Sequence, residues 1–402
     1  MNKALHGLKV VGIVTAGAGP ILLRNLIIHG AEAVLVETES RPNVTRASGP
    51  FKDGIPGPDR SYSFAISISG GLSILLDLKH PKADIVKTRL VEWADVIIEN
   101  WRPGVVEKWG MGYEDLKKIK PDIILLSLSH MGRGGPYSNM AGWGITLSAL
   151  SGLMFLTGWP DRPPVNLGGL GILPDYISPR FGLIALLAAL EYRRKTGKGQ
   201  HIDLSQYEAA IQFQIPAVLE FLANGKVRSR EGNRSDYACP HGVFRCKGED
   251  SWCAISIRTE EEWKKFVRVM GNPEWAKRFE TFGERKKKES ELEDLIQDWT
   301  KNQDASELMM KLQKEGIRAG VVRDLKDTLH CPQLAERKYW HTLDHPVLGP
   351  AVYQGPSYIL SKTPYELKRP PCLGEHTEYV CTKLLGFSDE EFIELFQEGV
   401  FK

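Results

Sequence analysis

Short apolar runs separated by turn residues dominate the first half of the chain. Leu8 to Val14 carries three valines and is bounded by Gly7 and by Thr15-Ala16-Gly17-Ala18-Gly19-Pro20, which reads as a buried strand running into a turn. Pro20 suits the first turn of a helix, expected to run to about His29. Gly30 ends that helix, and Ala33 to Glu37 is the next strand. A β-turn-α-β unit at the start of a chain predicts a parallel sheet. The pattern repeats with a strand end at Leu76–Leu78, a helix over Pro81–Ala94 and strands at Asp95–Glu99 and Ile123–Ser129. Gly and Pro become dense between Gly132 and Pro179, which predicts loops of the kind that carry chemistry on a rigid sheet. A helix over Pro179–Lys195 follows, with Arg193, Arg194 and Lys195 in its last turn and Gly197 as its cap. Its apolar stretch, Phe181 to Leu190, is too short to cross a bilayer and reads as a buried helix. His201–Ser205 alternates as a strand, and a long helix is expected through Leu222.

From about Gly225 the pattern changes. Trp252–Ile257 reads as a strand, followed by amphipathic helices around Glu260–Met270, Ser290–Thr300 and Ala305–Glu315. The expected organisation is a Rossmann-like α/β domain with a parallel sheet over residues 1–224 and a smaller α+β domain over 225–325. A Pro-rich segment, 326–402, then returns to the large domain and ends in a helix from Ser388. At 402 residues the chain exceeds one ordinary hydrophobic core, which fits two domains.

Composition narrows the function. A net charge of +2 gives no bias toward nucleic acid or a membrane surface, so small molecules and other protein chains are the expected partners. The six cysteines form no C-x-x-C, which argues against a zinc or thioredoxin-type site and suits reduced thiols in a cytoplasmic protein. Met1 to Gly7 contains no apolar stretch suited to a signal peptide. Gly17 and Gly19, with Glu37 near ribose distance, resemble part of a dinucleotide fingerprint, but Leu22 follows instead of the third glycine. A tight turn feeding a helix is the simpler reading, with a nicotinamide enzyme as a minor alternative.

The order of several segments is more specific. Ala18-Gly19-Pro20 is followed by Gly30-Ala31-Glu32-Ala33-Val34-Leu35-Val36-Glu37, Leu76-Asp77-Leu78-Lys79 and Ala94-Asp95-Val96-Ile97-Ile98-Glu99-Asn100-Trp101-Arg102-Pro103-Gly104. Tyr113-Glu114-Asp115-Leu116, Gly134-Gly135-Pro136-Tyr137, Leu150-Ser151-Gly152-Leu153-Met154, Thr196-Gly197-Lys198-Gly199-Gln200 and Leu373-Gly374-Glu375-His376-Thr377 come next. In content and order this resembles the family III CoA-transferases, over nearly the whole chain. Ala238 to Cys246 looks closest to members acting on larger or aromatic acids, such as the succinyl-CoA:benzylsuccinate enzymes.

The resemblance implies an interlocked dimer, of identical chains or with a paralogous subunit. It implies a coenzyme A thioester as substrate with no prosthetic group or metal, and a carboxylic acid as acceptor. The family's nucleophile is an aspartate after a Gly-rich stretch and just ahead of a helix. Here that is Asp175, with Gly168, Gly169 and Gly171 as candidates for the oxyanion lining. Taken locally, such an aspartate is more commonly an N-cap or turn residue. The family frame assigns it an attack on the thioester, giving a mixed anhydride and then an aspartyl-CoA thioester. Ala18 and Gly19 are expected against CoA, with Arg41, Arg102 and Lys108 as phosphate contacts. Gly71 and Leu72 occupy the places of two basic residues that bind CoA in relatives. Thr38 stands where an arginine often follows the strand-end glutamate, so Arg41 or Arg46 is the stand-in. Tyr137 and His241 are further candidates for the substrate pocket. The racemases of the same family use a histidine where Trp143 stands here, which moves the reading from racemase to transferase. A non-catalytic subunit of a heteromer is the remaining alternative.

Overall fold

The computed structural model describes residues 3–166 and 173–402. The chain divides into two compact units. The first comprises Met1–Met154, Asn166–Val227 and Ala335–Lys402, and the second Phe155–Val165 and Arg228–Leu334.

The first unit is built on a parallel sheet of β1 (Lys9–Ile13), β2 (Glu32–Glu37), β3 (Leu72–Leu75), β4 (Val96–Glu99), β5 (Ile124–Ser129) and β6 (Gln200–Ser205). The order is β3-β2-β1-β4-β5-β6. Val10 pairs with Ala33 on one side and Val96 on the other, and Val11 with Val34 and Ile97. Successive side chains point to opposite faces, so this register sorts the strands into two cores. Val10, Val96 and Ile124 pack with Leu22 and Leu26 of α1 (Ala18–Ile27), whereas Val11, Ile97 and Leu125 pack with Val86 and Leu90 of α2 (Ala83–Trp93). A sheet covered on both faces needs apolar residues on both, which is why its strands are continuous apolar runs in sequence. β3 lies just ahead of the Leu76–Leu78 run that marks it in the sequence.

The helix α3 (Leu173–Thr196) begins ahead of Pro179, so Asp175 lies within its first turn and not before it. Pro174 is tolerated there because the first turn needs no N–H donors. Pro179 has no N–H to give to the Asp175 carbonyl one turn back, while Ser178 donates its hydroxyl to Pro174 O at 2.9 Å. α3 packs on α1, β5 and β6, yet Ile184 and Leu187 stand exposed. The expectation of a wholly buried helix is therefore corrected. By length and composition alone α3 could span a membrane, but its inner face forms part of this sheet's cover. The long helix expected through Leu222 is broken into α4 (Gln206–Ile211) and α5 (Ile215–Asn224), with Pro216 in the first turn of the second. A C-terminal hairpin, whose strands are Trp340–His345 and Gly349–Gln354, belongs to this unit.

The second unit holds a small antiparallel sheet in the order His241–Arg245, Trp252–Ser256, Arg318–Val321. Its core gathers Trp263, Phe266, Leu292, Ile296, Leu308 and Leu312 from three amphipathic helices. All six cysteines are unbridged.

Glu37 at the end of β2 is not available to a ribose. Its carboxylate is held by Arg46 through two bonds of 2.8 and 2.9 Å and accepts from Ser73 Oγ at 2.9 Å. Arg46 also binds Asp59 at 2.8 Å and stacks 3.5 Å over the Phe64 ring. Both charged side chains are essentially excluded from solvent, so removing one strands the other. Arg46→Ala is expected to cost about 3–5 kcal/mol in urea unfolding. The double variant Glu37→Leu/Arg46→Met should recover most of that loss, because it leaves no lone buried charge.

Candidate functional site

The strand order reverses between β1 and β4, and in open α/β sheets ligands bind beyond the carboxyl ends of the strands at such a point. The turn from β1 into α1 lies there. Asn100, just after β4, grips it with one amide: Oδ1 accepts from Thr15 N at 2.8 Å and Nδ2 donates to Thr15 O at 2.7 Å. Asn43 grips the next residue, accepting from Ala16 N at 3.1 Å. Ala16 has φ of 58°, an uncommon conformation for a residue with a side chain. Trp101 Nε1 donates to Ile13 O at 3.0 Å. The turn is thus tied to its neighbours by side chains, as a loop that must hold a fixed shape requires.

Two glycines allow close approach. A Cβ at Gly19 would sit 2.7 Å from Val14 Cβ and 2.9 Å from Asn100 Cγ. A Cβ at Gly17 would sit 3.4 Å from Asp175 Cβ and 3.6 Å from its Oδ2. Asp175 therefore lies directly against the N-cap of α1. Gly17 brings no side chain to cap that helix, and the positive end of its dipole faces the carboxylate.

Burial raises the Asp175 carboxyl from its ordinary 3.8 to about 6, with the nearby Gln206 amide opposing part of the rise. Gln206 opens α4 directly after β6 and is 3% exposed. Among the described residues its Oε1 has no hydrogen-bond partner, and neither does Ser129 Oγ at the end of the adjoining strand. His130, next to Ser129, is disfavoured as a cation by burial and by Arg102.

The crevice over β1, β2 and β4 is lined by Thr15, Thr38, Arg41, Lys79 and Trp101. Arg41 lies 5.2 Å over the Trp101 ring, which Trp109 meets edge-on at 5.1 Å. Arg102 and Lys108 are exposed on the segment after β4. Ala18 and Gly19 are the first two residues of α1. Arg46 is not a free cation, because Glu37 and Asp59 hold it. Gly71 and Leu72 sit at the amino end of β3, among Gly70, Lys368 and His376, at the opposite edge of the sheet from the Gly17 turn. The structure does not bring them to the crevice. Tyr137 is exposed on a loop. His241 opens the first strand of the second unit, with Nδ1 against Asn233 O. Gly168, Gly169 and Gly171 lie outside the described residues.

Several groups at the site escape sequence reasoning. Asn100 belongs to a recognisable segment, Glu99-Asn100-Trp101, but only the fold shows its amide bridging to Thr15. Arg133 binds Glu99 at 3.0 Å, contacts Glu107 and donates its backbone N–H to Asp203. Glu99 in turn accepts from Trp101 N at 2.8 Å, and burial pushes its carboxyl up. Asn43 and Gln206 carry no local signal.

A parallel sheet of this order, with a gripped turn and a half-buried carboxylate at its switch point, defines an α/β enzyme. The chain belongs to CoA-transferase family III, which it matches over residues 5–377, and it is a CoA-transferase. It is 30% identical over 397 residues to the succinyl-CoA–D-citramalate CoA-transferase of Chloroflexus aurantiacus, covering 98% of this chain and 97% of that one. It is 31% identical over 399 residues to the β subunit of the same organism's succinyl-CoA–L-malate CoA-transferase, covering 97% and 96%. A CaiB/BaiF family protein from Brucella suis has the same fold, with a TM-score of 0.87 at 30% identity over 96% of this chain and all of that one.

Gly19→Ala forces the turn away from Val14 and Asn100. It should cost about 1–3 kcal/mol and depress CoA transfer while far-UV circular dichroism is retained. Asp175 titrates near 6 folded against 3.8 in its ordinary state, so the unfolded chain loses this proton first as pH rises. Stability therefore falls between those values and stays lower above them. Asp175→Asn should raise the melting temperature at pH 7 and leave it unchanged below pH 3.8.

Proposed function

We propose that this chain moves coenzyme A from an acyl-CoA donor, succinyl-CoA, to a dicarboxylic acid through covalent intermediates on Asp175. The observation that carries the reading is the Asp175 carboxylate itself. It lies at the switch point against the α1 amino end, among the described residues it forms no salt bridge, and it has been partly stripped of water. A carboxylate is a weak nucleophile, and close placement with partial desolvation is what strengthens it.

Asp175 attacks the thioester carbonyl, and the tetrahedral oxyanion collapses by expelling CoA thiolate. The product is a mixed anhydride. The thiolate then attacks the Asp175 carbonyl carbon and expels the donor acid as its carboxylate, leaving an aspartyl-CoA thioester. The acceptor carboxylate attacks the same carbon, forms a second anhydride and releases thiolate. Attack of that thiolate on the acceptor carbonyl yields the new acyl-CoA and the free Asp175 carboxylate. No net proton is exchanged. The family resemblance assigns the backbone N–H groups of Gly168, Gly169 and Gly171 to the oxyanions. Arg41, Arg102 and Lys108 are assigned to the CoA phosphates. The relatives' names, with citramalate and malate as acceptors, support a dicarboxylic acid.

A second chain, identical or paralogous, is assigned to the apolar face of the first unit. None of the residues of α5 is buried, and Phe213, Leu219, Phe221 and Leu222 lie open on and before it. Exposed apolar surface of this extent marks an interaction site. A relative that is itself a subunit supports the same reading. Leu219→Glu should convert the assembled species to monomer by light scattering.

Asp175→Ala is expected to abolish transfer. Hydroxylamine should inactivate the wild-type enzyme only after incubation with acyl-CoA, and full activity of the alanine variant would sink the proposal. Attack needs the ionised carboxylate, so activity should rise with pH through about 6. A flat rate from about pH 5 to pH 8 would contradict it.

A further inference from the structure

We propose that a second cavity, at the amino ends of β1, β2 and β3, binds a nucleotide-like ligand: a phosphate monoester that carries an aromatic ring. The cavity has a volume of about 620 Å3, and Lys9, Glu32, Gly71, Leu72, Lys368 and His376 are among the residues that line it. A space of this size accepts a whole small molecule, not just a single ion. The crevice over β1, β2 and β4 lies at the opposite, carboxyl ends of the strands. The second site therefore stands apart from the role given to Asp175 and does not depend on it.

The cavity is built into the edge of the sheet. One wall is apolar, with Ile27, Ala33, Leu72 and the exposed Tyr379. Gly70 and Gly71 have φ of 73° and 83°, where a side chain is strained. A Cβ at either glycine would stand 3.1 Å from the Ile27 side chain, and one at Gly70 would also meet Lys368 Cβ at 3.3 Å. Side chains here would crowd the residues that frame the space. The other wall is the segment 368–376, which backbone bonds fasten to the start of β3. Gly70 N donates to Arg369 O at 3.1 Å, and His376 N donates to Ser73 O at 2.9 Å. Ser69 Oγ donates to Lys368 O at 2.8 Å. Both walls are thus held in place before any ligand arrives, which lowers the ordering cost of binding.

Charge selects the ligand. Lys3, Lys9, Lys368 and Arg369 line the cavity, and two of them are engaged. Lys3 pairs with Glu366 at 3.7 Å and donates to Pro364 O at 2.9 Å. Arg369 binds both carboxylate oxygens of Glu375. Among the described residues the Lys9 and Lys368 ammonium groups make no hydrogen bond or ion pair, and Lys9 Nζ lies 5.6 Å over the Trp93 ring. His376 adds a buried Nδ1 without a hydrogen-bond partner among the described residues. The opposing charge is Glu32, exposed and in register with Lys9. The unpaired groups are ammonium and imidazole, not the planar guanidinium fork that suits a carboxylate. A phosphate monoester carries about two negative charges near pH 7 and three acceptor oxygens for such point donors. An aromatic ring on the same molecule covers the apolar wall and can stack on Tyr379.

The test is equilibrium dialysis of labelled AMP against the full chain as it assembles, with CoA saturating so that the catalytic crevice is occupied. AMP should bind at one site per chain. Inorganic phosphate, adenosine and succinate should each need about tenfold or more higher concentration to displace it, since each lacks either the phosphate or the ring. Lys9→Ala and Lys368→Ala should each weaken AMP about tenfold. Glu32→Gln removes the opposing charge and should tighten it. Lys368 and Glu32 are exposed, so these two variants should melt with the wild type. All three should keep wild-type CoA affinity and transfer rate. Absence of saturable AMP binding under saturating CoA would overturn the site. So would AMP binding that both lysine variants leave unchanged, or that Glu32→Gln weakens. Displacement by inorganic phosphate or succinate at the same concentration as AMP would overturn the ligand class, because the ring would then contribute nothing.

Discussion

The grip of two asparagine amides on the turn between β1 and α1 is the constraint on which the site depends. Asn100 satisfies both backbone groups of Thr15, and Asn43 holds Ala16 in a conformation it would not choose alone. With the turn fixed, Gly17 becomes a surface without a side chain, and Asp175 can lie against it. If the turn relaxed, the carboxylate would regain water and lose the α1 dipole together. Both effects on its reactivity come from one local geometry.

Charge is handled differently at different depths. Glu37 and Arg46 are paired completely and serve the fold. Glu99 is tied to Arg133, which joins the ends of β4 and β6 from outside the crevice. Asp175 forms no salt bridge among the described residues and lies against a helix end. Arg41, Arg102 and Lys108, to which the proposal gives the CoA phosphates, are exposed. A salt bridge to Asp175 would stabilise the protein and blunt the nucleophile proposed there.

The apolar surface points beyond a single chain. A sheet covered on both faces already has its core, yet α3 and α5 still present isoleucine, leucine and phenylalanine to solvent. Helical periodicity alone cannot say whether an apolar face meets its own chain or another, because the two cases have the same pattern. For that reason the Phe181–Leu190 run reads as a buried helix in the sequence and is half-open in the fold.

The sequence alone determined the parallel sheet and its succession of strands, because a sheet buried on both faces must write itself as continuous apolar runs. It also determined the enzyme family, because ordered glycines, prolines and acidic residues recur along nearly the whole chain. The strands at His241–Arg245 and Arg318–Val321 were not legible, being short and half-exposed. Tertiary structure alone decided that Gly71 and Leu72 lie at the far edge of the sheet, that Arg46 belongs to Glu37, and that Asn43 and Asn100 hold the turn between β1 and α1. A buried amide has no sequence signature. Its meaning lies in which polar group the fold sets opposite it, as Asn100 meets Thr15 only once β1 and β4 lie side by side.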